Sequence, residues 1–124
     1  MAMSRTRALA IFWTFSTLVL HAIPRKQILE MPGGQTFVAT AFLDKVAHVV
    51  LFGVLGFLWQ LGFRYRVWTT VILGMGYGIV LELGQEWLIA GRSGSFADLS
   101  ADLVGLLIGT AIAARGSRTD AVRL

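Results

Sequence analysis

The chain has 124 residues, of which 56% are hydrophobic and 15% charged; its net charge is +4, and it holds 14 glycines and no cysteine. So much apolar surface on so short a chain argues against a soluble domain, and the missing cysteine excludes disulfides, thiolate metal sites and a cysteine nucleophile. The basic residues flank apolar runs, as they do around membrane spans, which speaks against nucleic acid as a partner.

A helix crossing a bilayer takes about 20 mostly apolar residues. Four runs of this kind predict an all-α membrane protein, a single domain over residues 1–124 built as a bundle of about four transmembrane helices. The first runs from about Ala8 to Ile23, behind Arg5 and Arg7. Its basic start also fits a signal peptide, but Leu20-His21-Ala22 has no small residue three before the cut, so it is read as an uncleaved span. Pro24, Pro32, Gly33 and Gly34 then break a long connection that has room for a lid or an interfacial helix, with Thr36 to Leu43 apolar enough for the headgroup region. The second run covers about 46–63. Arg64-Tyr65-Arg66 is a very short connection, which makes the second and third spans antiparallel neighbours. The third run covers about 67–89 and the fourth about 96–114.

Basic residues orient such a protein. Arg5, Arg7, Arg64, Arg66, Arg115, Arg118 and Arg123 fall on one side; Arg25, Lys26, Lys45 and Arg92 fall on the other. The richer side is expected to be cytoplasmic, which places the protein in the inner (cytoplasmic) membrane with both termini inside. Trp59 and Trp68 then fall near the inner interface and Trp87 near the outer one. Gly74 with Gly78, and Gly105 with Gly109, are small-xxx-small pairs that let helices approach closely. They serve packing within the bundle or, alternatively, contact with a protein partner.

The acids run against the basic bias. Glu30, Asp44, Glu82, Glu86, Asp98 and Asp102 all map to the outer half, leaving only Asp120 inside. Asp44 and His48 share one helix face at the start of the second span, beside Lys45; Glu82, Gln85 and Glu86 share a face near the end of the third. Arg92, Ser93 and Ser95 follow in a glycine-bounded loop, and Asp98 and Asp102 share a face of the fourth span. A charge in the bilayer costs at least about 2.5–3.5 kcal/mol, so these groups need partners. The expected pairs are Arg92 with Glu86 or Asp98, and His48 with Asp44 or Glu82. Ser95 and Asp98 also fit a capping box. Such a cluster is either a structural salt-bridge knot or a binding site formed by Asp44, His48, Glu82, Gln85, Glu86, Arg92, Ser95, Asp98 and Asp102. In the second case Arg92 would grip a phosphate or carboxylate, His48 would move a proton, or the carboxylates with His48 would hold a hard cation. No tight ligand motif is present, so no metal or cofactor is assigned. Nothing pairs Ser93, Ser95 or Ser100 with His48 as a nucleophile.

At these residues the chain resembles the VanZ-like family of small membrane proteins. The matching pieces are Asp44-Lys45 with His48 and Phe52, Glu82 with Gln85, Gly91-Arg92-Ser93 through Asp98, and Gly105 with Gly109, over roughly residues 44–110. The resemblance implies a link to teicoplanin resistance, the association of the family's named member, and supplies no settled mechanism. Two functions stay open: a cell-envelope protein whose outer-facing pocket binds an anionic lipid headgroup or an envelope precursor, and a non-catalytic accessory subunit of a larger membrane complex.

Overall fold

The computed structural model describes residues 3–23, 37–88 and 95–122, with side chains described over 3–23, 42–88 and 95–118. The described elements are four helices: α1 (Arg5–Ala22), α2 (Phe37–Phe63), α3 (Val67–Leu88) and α4 (Phe96–Val122). Among the described residues, three stretches are long and apolar enough to cross a membrane: Phe42–Phe63, Val67–Leu88 and Phe96–Arg118. Two bounds differ from expectation. α2 starts at Phe37, so the segment taken for an interfacial helix is continuous with the second span. α4 continues past Ala114, its last turns carried by polar residues such as Arg115 and Arg118. Phe12, Phe15, Trp68, Val80, Trp87 and Ile112 are all exposed, as befits surfaces solvated by lipid rather than water.

α1 is not among these three stretches, because it carries Arg5, Arg7, His21 and several hydroxyls. Three of its hydroxyls are satisfied within the helix: Thr14 donates to Ala10 O at 2.8 Å, Ser16 to Phe12 O at 2.9 Å and Thr17 to Trp13 O at 2.9 Å. In a medium without water, this is how a helix tolerates them. α1 also runs along α2 from Gly62 to His48. Arg7 Nε donates to Gly62 O and Trp59 Nε1 to Thr14 Oγ1, both at 2.9 Å. At the far end the His21 and His48 rings lie 5.0 Å apart, edge to face. Numbers rise along α1 as they fall along α2, so the two are antiparallel. Its 18 residues span roughly 27 Å at about 1.5 Å each, close to the thickness of a hydrocarbon core.

The short Arg64–Arg66 connection sets α3 antiparallel beside α2, as expected. Arg64 takes the left-handed conformation that closes the end of α2 (φ 55°), and its N–H donates to Gln60 O at 3.1 Å. The main partner of α2, however, is α4, and glycine is the reason. A Cβ at Gly109 would overlap the Gly53 carbonyl, and one at Gly105 the Val49 carbonyl. Only bare backbones fit this closely. Lys45 pairs with Asp98 and His48 with Asp102, separations of 53 and 54 residues; α2 and α4 are therefore parallel. Gly74 and Gly78 also face inward, Gly74 against Leu106 and Gly78 against Phe52 and Asp102. Phe52, Leu55, Leu81 and Leu106 form the core, flanked by Trp13, Trp59, Met75 and Tyr77. Trp59, assigned by position to the interfacial belt, is thus tied into the bundle, whereas Trp68 and Trp87 are exposed.

Candidate functional site

All four helices deliver polar side chains to the same end of the bundle. α1 brings His21 at its C-terminus, α2 brings Asp44, Lys45 and His48 near its start, α3 brings Glu82 and Gln85 near its end, and α4 brings Asp98 and Asp102 in its first turns. Within α2 and α4 the key residues are three or four apart, so they stack on one face. The parallel packing of α2 on α4 sets the two faces against each other in register.

Two pairs bridge that interface. His48 Nδ1 lies 2.7 Å from Asp102 Oδ1, with both side chains fully or nearly fully buried, and His48 Nε2 is 3.9 Å from Asp98 Oδ1. Lys45 Nζ donates to the buried Asp98 carboxylate and, at 3.1 Å, to Asp44 Oδ2. Glu82 is buried, and its Oε2 accepts the Ser95 N–H at 3.1 Å. This contact fastens the start of α4 to the end of α3. Gln85 Nε2 donates to His21 O at 3.0 Å, joining α3 to the last turn of α1. His21 Nδ1 lies 2.8 Å from Thr17 O; because a carbonyl only accepts, the nitrogen is the donor. Glu82 Oε1 and Asp102 Oδ2 are buried with no hydrogen-bond partner among the described residues.

The expected residues therefore gather, with corrections. His48 takes Asp102 as its hydrogen-bond partner, in place of Asp44 or Glu82, because the α2–α4 register sets Asp102 opposite it. Asp44 goes to Lys45. Glu86 is exposed, a turn beyond Glu82 but rotated off the buried face, and stands outside the cluster. Arg92 and its expected pairing with Glu86 or Asp98 lie outside the described residues, as does Ser93. Ser95 contributes through its backbone: its N–H binds Glu82, and its carbonyl accepts from Asp98 and Leu99 at the start of α4.

Two participants were not among the candidates. By sequence Lys45 is a flanking charge beside Asp44; its partner on α4 makes it part of the cluster. His21 was treated only as part of an apolar run. The signal was nonetheless present, since a histidine at membrane depth is expensive and marks a function or a partner.

The opposite end of the bundle is basic. There a cavity of about 260 Å³ is lined by Gln60, Arg64, Arg66, Ser117 and Arg118, among others.

A family model described as VanZ/LLP1 matches residues 3–116. No curated protein and no solved structure matches the chain significantly. The family match takes in α1 as well as the three later helices, and so every helix that feeds the polar cluster: the chain belongs to the VanZ/LLP1 family.

Proposed function

We propose that this VanZ-type protein lies in the inner (cytoplasmic) membrane with both termini cytoplasmic, and that its polar cluster receives the headgroup of a membrane lipid or a lipid-linked envelope precursor. The observation that carries this is the pair of buried carboxylate oxygens, Glu82 Oε1 and Asp102 Oδ2, with no partner among the described residues. A structural knot gains its stability by closing every polar group on another, since each buried acceptor left open costs about 1–3 kcal/mol. Buried acceptors left open within a cluster suit a ligand that brings donors.

Charge narrows the ligand. The described cluster sets four carboxylates, Asp44, Glu82, Asp98 and Asp102, against the single ammonium of Lys45. Hydroxyl or amine donors of a headgroup suit this surplus; an anionic group needs Arg92 or a cation as intermediary. The accessory-subunit alternative loses ground, because Gly74, Gly78, Gly105 and Gly109 are buried inside the bundle and offer no face to a partner. The link to teicoplanin resistance is a further proposal carried by family resemblance.

The test is lipid retention. Protein reconstituted in nanodiscs from host membrane extract and analysed by native mass spectrometry is expected to keep one lipid class at near-stoichiometric amount. Glu82→Gln and Asp102→Asn should lose it while melting close to the parent. An identical lipid complement in all three proteins sinks the proposal. Teicoplanin susceptibility of cells with and without the protein tests the resistance link separately.

A further inference from the structure

We propose that His21, His48 and Glu82 form a binding site for a divalent first-row transition-metal ion, with zinc as the reference case. The three come from α1, α2 and α3, and all are buried. One ligand atom from each lies within 4.8 Å of the other two. Their spacing in the chain, 27 residues and then 34, matches no short metal motif, which is why only the folded bundle reveals them.

What distinguishes this trio is how the rest of each side chain is held. His21 Nδ1 donates to Thr17 O at 2.8 Å. His48 Nδ1 is bound at 2.7 Å to the Asp102 carboxylate, which accepts. In the neutral ring each arrangement puts the proton on Nδ1 and the lone pair on Nε2. Metal-binding histidines are oriented in this way, by a carbonyl or a carboxylate behind the ring. Glu82 follows the same logic: Oε2 takes the Ser95 N–H at 3.1 Å, while Oε1 is buried with no hydrogen-bond partner among the described residues. That second oxygen is an independent pointer to something bound there.

Asp44, His48 and Asp98 also come within 4.8 Å of one another. In that group, however, Lys45 already supplies the cation, bonding both Asp44 and Asp98. The trio with His21 contains no such ammonium. Two imidazoles and a carboxylate select zinc, iron, cobalt or nickel over magnesium and calcium, which prefer all-oxygen shells. Ligands around a tetrahedral zinc at about 2.0–2.1 Å lie roughly 3.3 Å apart, so closure on the ion draws the three ligand atoms together by up to about 1.5 Å. Three protein ligands leave a coordination position for an exogenous oxygen donor, and the ion's charge offsets the carboxylate surplus of the cluster. The ion would take the Glu82 Oε1 that the headgroup proposal gives to a ligand donor, leaving Asp102 Oδ2 to the headgroup; it is tested with inorganic ions on delipidated protein, so the two readings fail separately.

The full chain, purified in detergent without an affinity tag and stripped with chelator, is titrated with Zn²⁺ by calorimetry and with Co²⁺ by visible absorption. The expected result is one equivalent per chain. X-ray absorption of the zinc form should show two imidazole nitrogens and at least one oxygen. His21→Gln and Glu82→Gln should each weaken binding by about 100-fold or more, beyond the 10–100-fold typical of outer-shell changes, whereas Asp44→Asn should leave it unchanged. Absence of stoichiometric binding by the parent overturns the site. So does binding that survives both ligand substitutions, or binding lost in Asp44→Asn. Should a variant fail to fold, the parent's absorption spectrum decides, and fewer than two imidazoles at the zinc overturns the proposal.

Discussion

Adding one methyl group at Gly109 tests whether the α2–α4 contact holds both the bundle and its polar end. A Cβ there would sit 2.7 Å from the Gly53 carbonyl carbon, on top of its oxygen. Carbon–carbon contacts settle at about 3.5–4.0 Å, so the helices would have to part by roughly 1 Å. The obstacle is backbone, and no rotamer change relieves it. Overpacking costs about 1–3 kcal/mol, occasionally more; with backbone on both sides, Gly109→Ala belongs at the upper end, about 3 kcal/mol. The same displacement would stretch the His48–Asp102 bond, now 2.7 Å, to about 3.7 Å, past hydrogen-bonding range. Gly76 is the control, because a Cβ there meets nothing within 4 Å. Gly76→Ala should be neutral or gain up to about 1 kcal/mol from the lost flexibility of the unfolded chain. Thermal unfolding in one detergent, followed by circular dichroism, compares the two. The reasoning fails if Gly109→Ala melts with the parent, or if Gly76→Ala falls as far.

Other perturbations address single contacts. Lys45→Met removes the ammonium shared by Asp44 and Asp98; because Lys45 is 35% exposed, the loss should be about 2–3 kcal/mol rather than the 3–5 of a fully buried pair. Lys45→Arg should recover much of it, and a Lys45→Met protein as stable as the parent would count against the pairing. Trp59→Phe deletes the indole bond to Thr14 Oγ1 and part of a ring packed against the core, so chemical denaturation in micelles should show a loss above the roughly 0.6 kcal/mol usual for such a bond between membrane helices; a protein as stable as the parent would count against the contact. For orientation, a cysteine introduced at Gly34 into this cysteine-free chain should react with an impermeant thiol reagent on intact cells. Labelling seen only from the cytoplasmic side would invert the proposed topology.

The helices were legible because each apolar run approaches the length a bilayer demands, and the cluster because acids collected where neither topology nor lipid calls for them. Pairing was less legible. Whether His48 meets Asp44, Glu82 or Asp102 depends on the register between two helices more than 50 residues apart. That register is set by Gly53 against Gly105 and Gly109, a contact between backbones that leaves no periodic mark beyond small residues. The short Arg64–Arg66 connection pointed to α3 as the neighbour of α2, and chain continuity does make it one; close approach makes α4 the larger partner. His21 went unrecognised for a related reason. Within α1 it is one polar residue at the end of an apolar run, and it gains meaning only because antiparallel packing carries that end to His48. The polar end of this bundle is thus a property of helix register more than of any local motif. A change that slides α2 along α4 by one turn would leave every residue of the cluster present and break both pairs that bridge the two helices, His48 with Asp102 and Lys45 with Asp98.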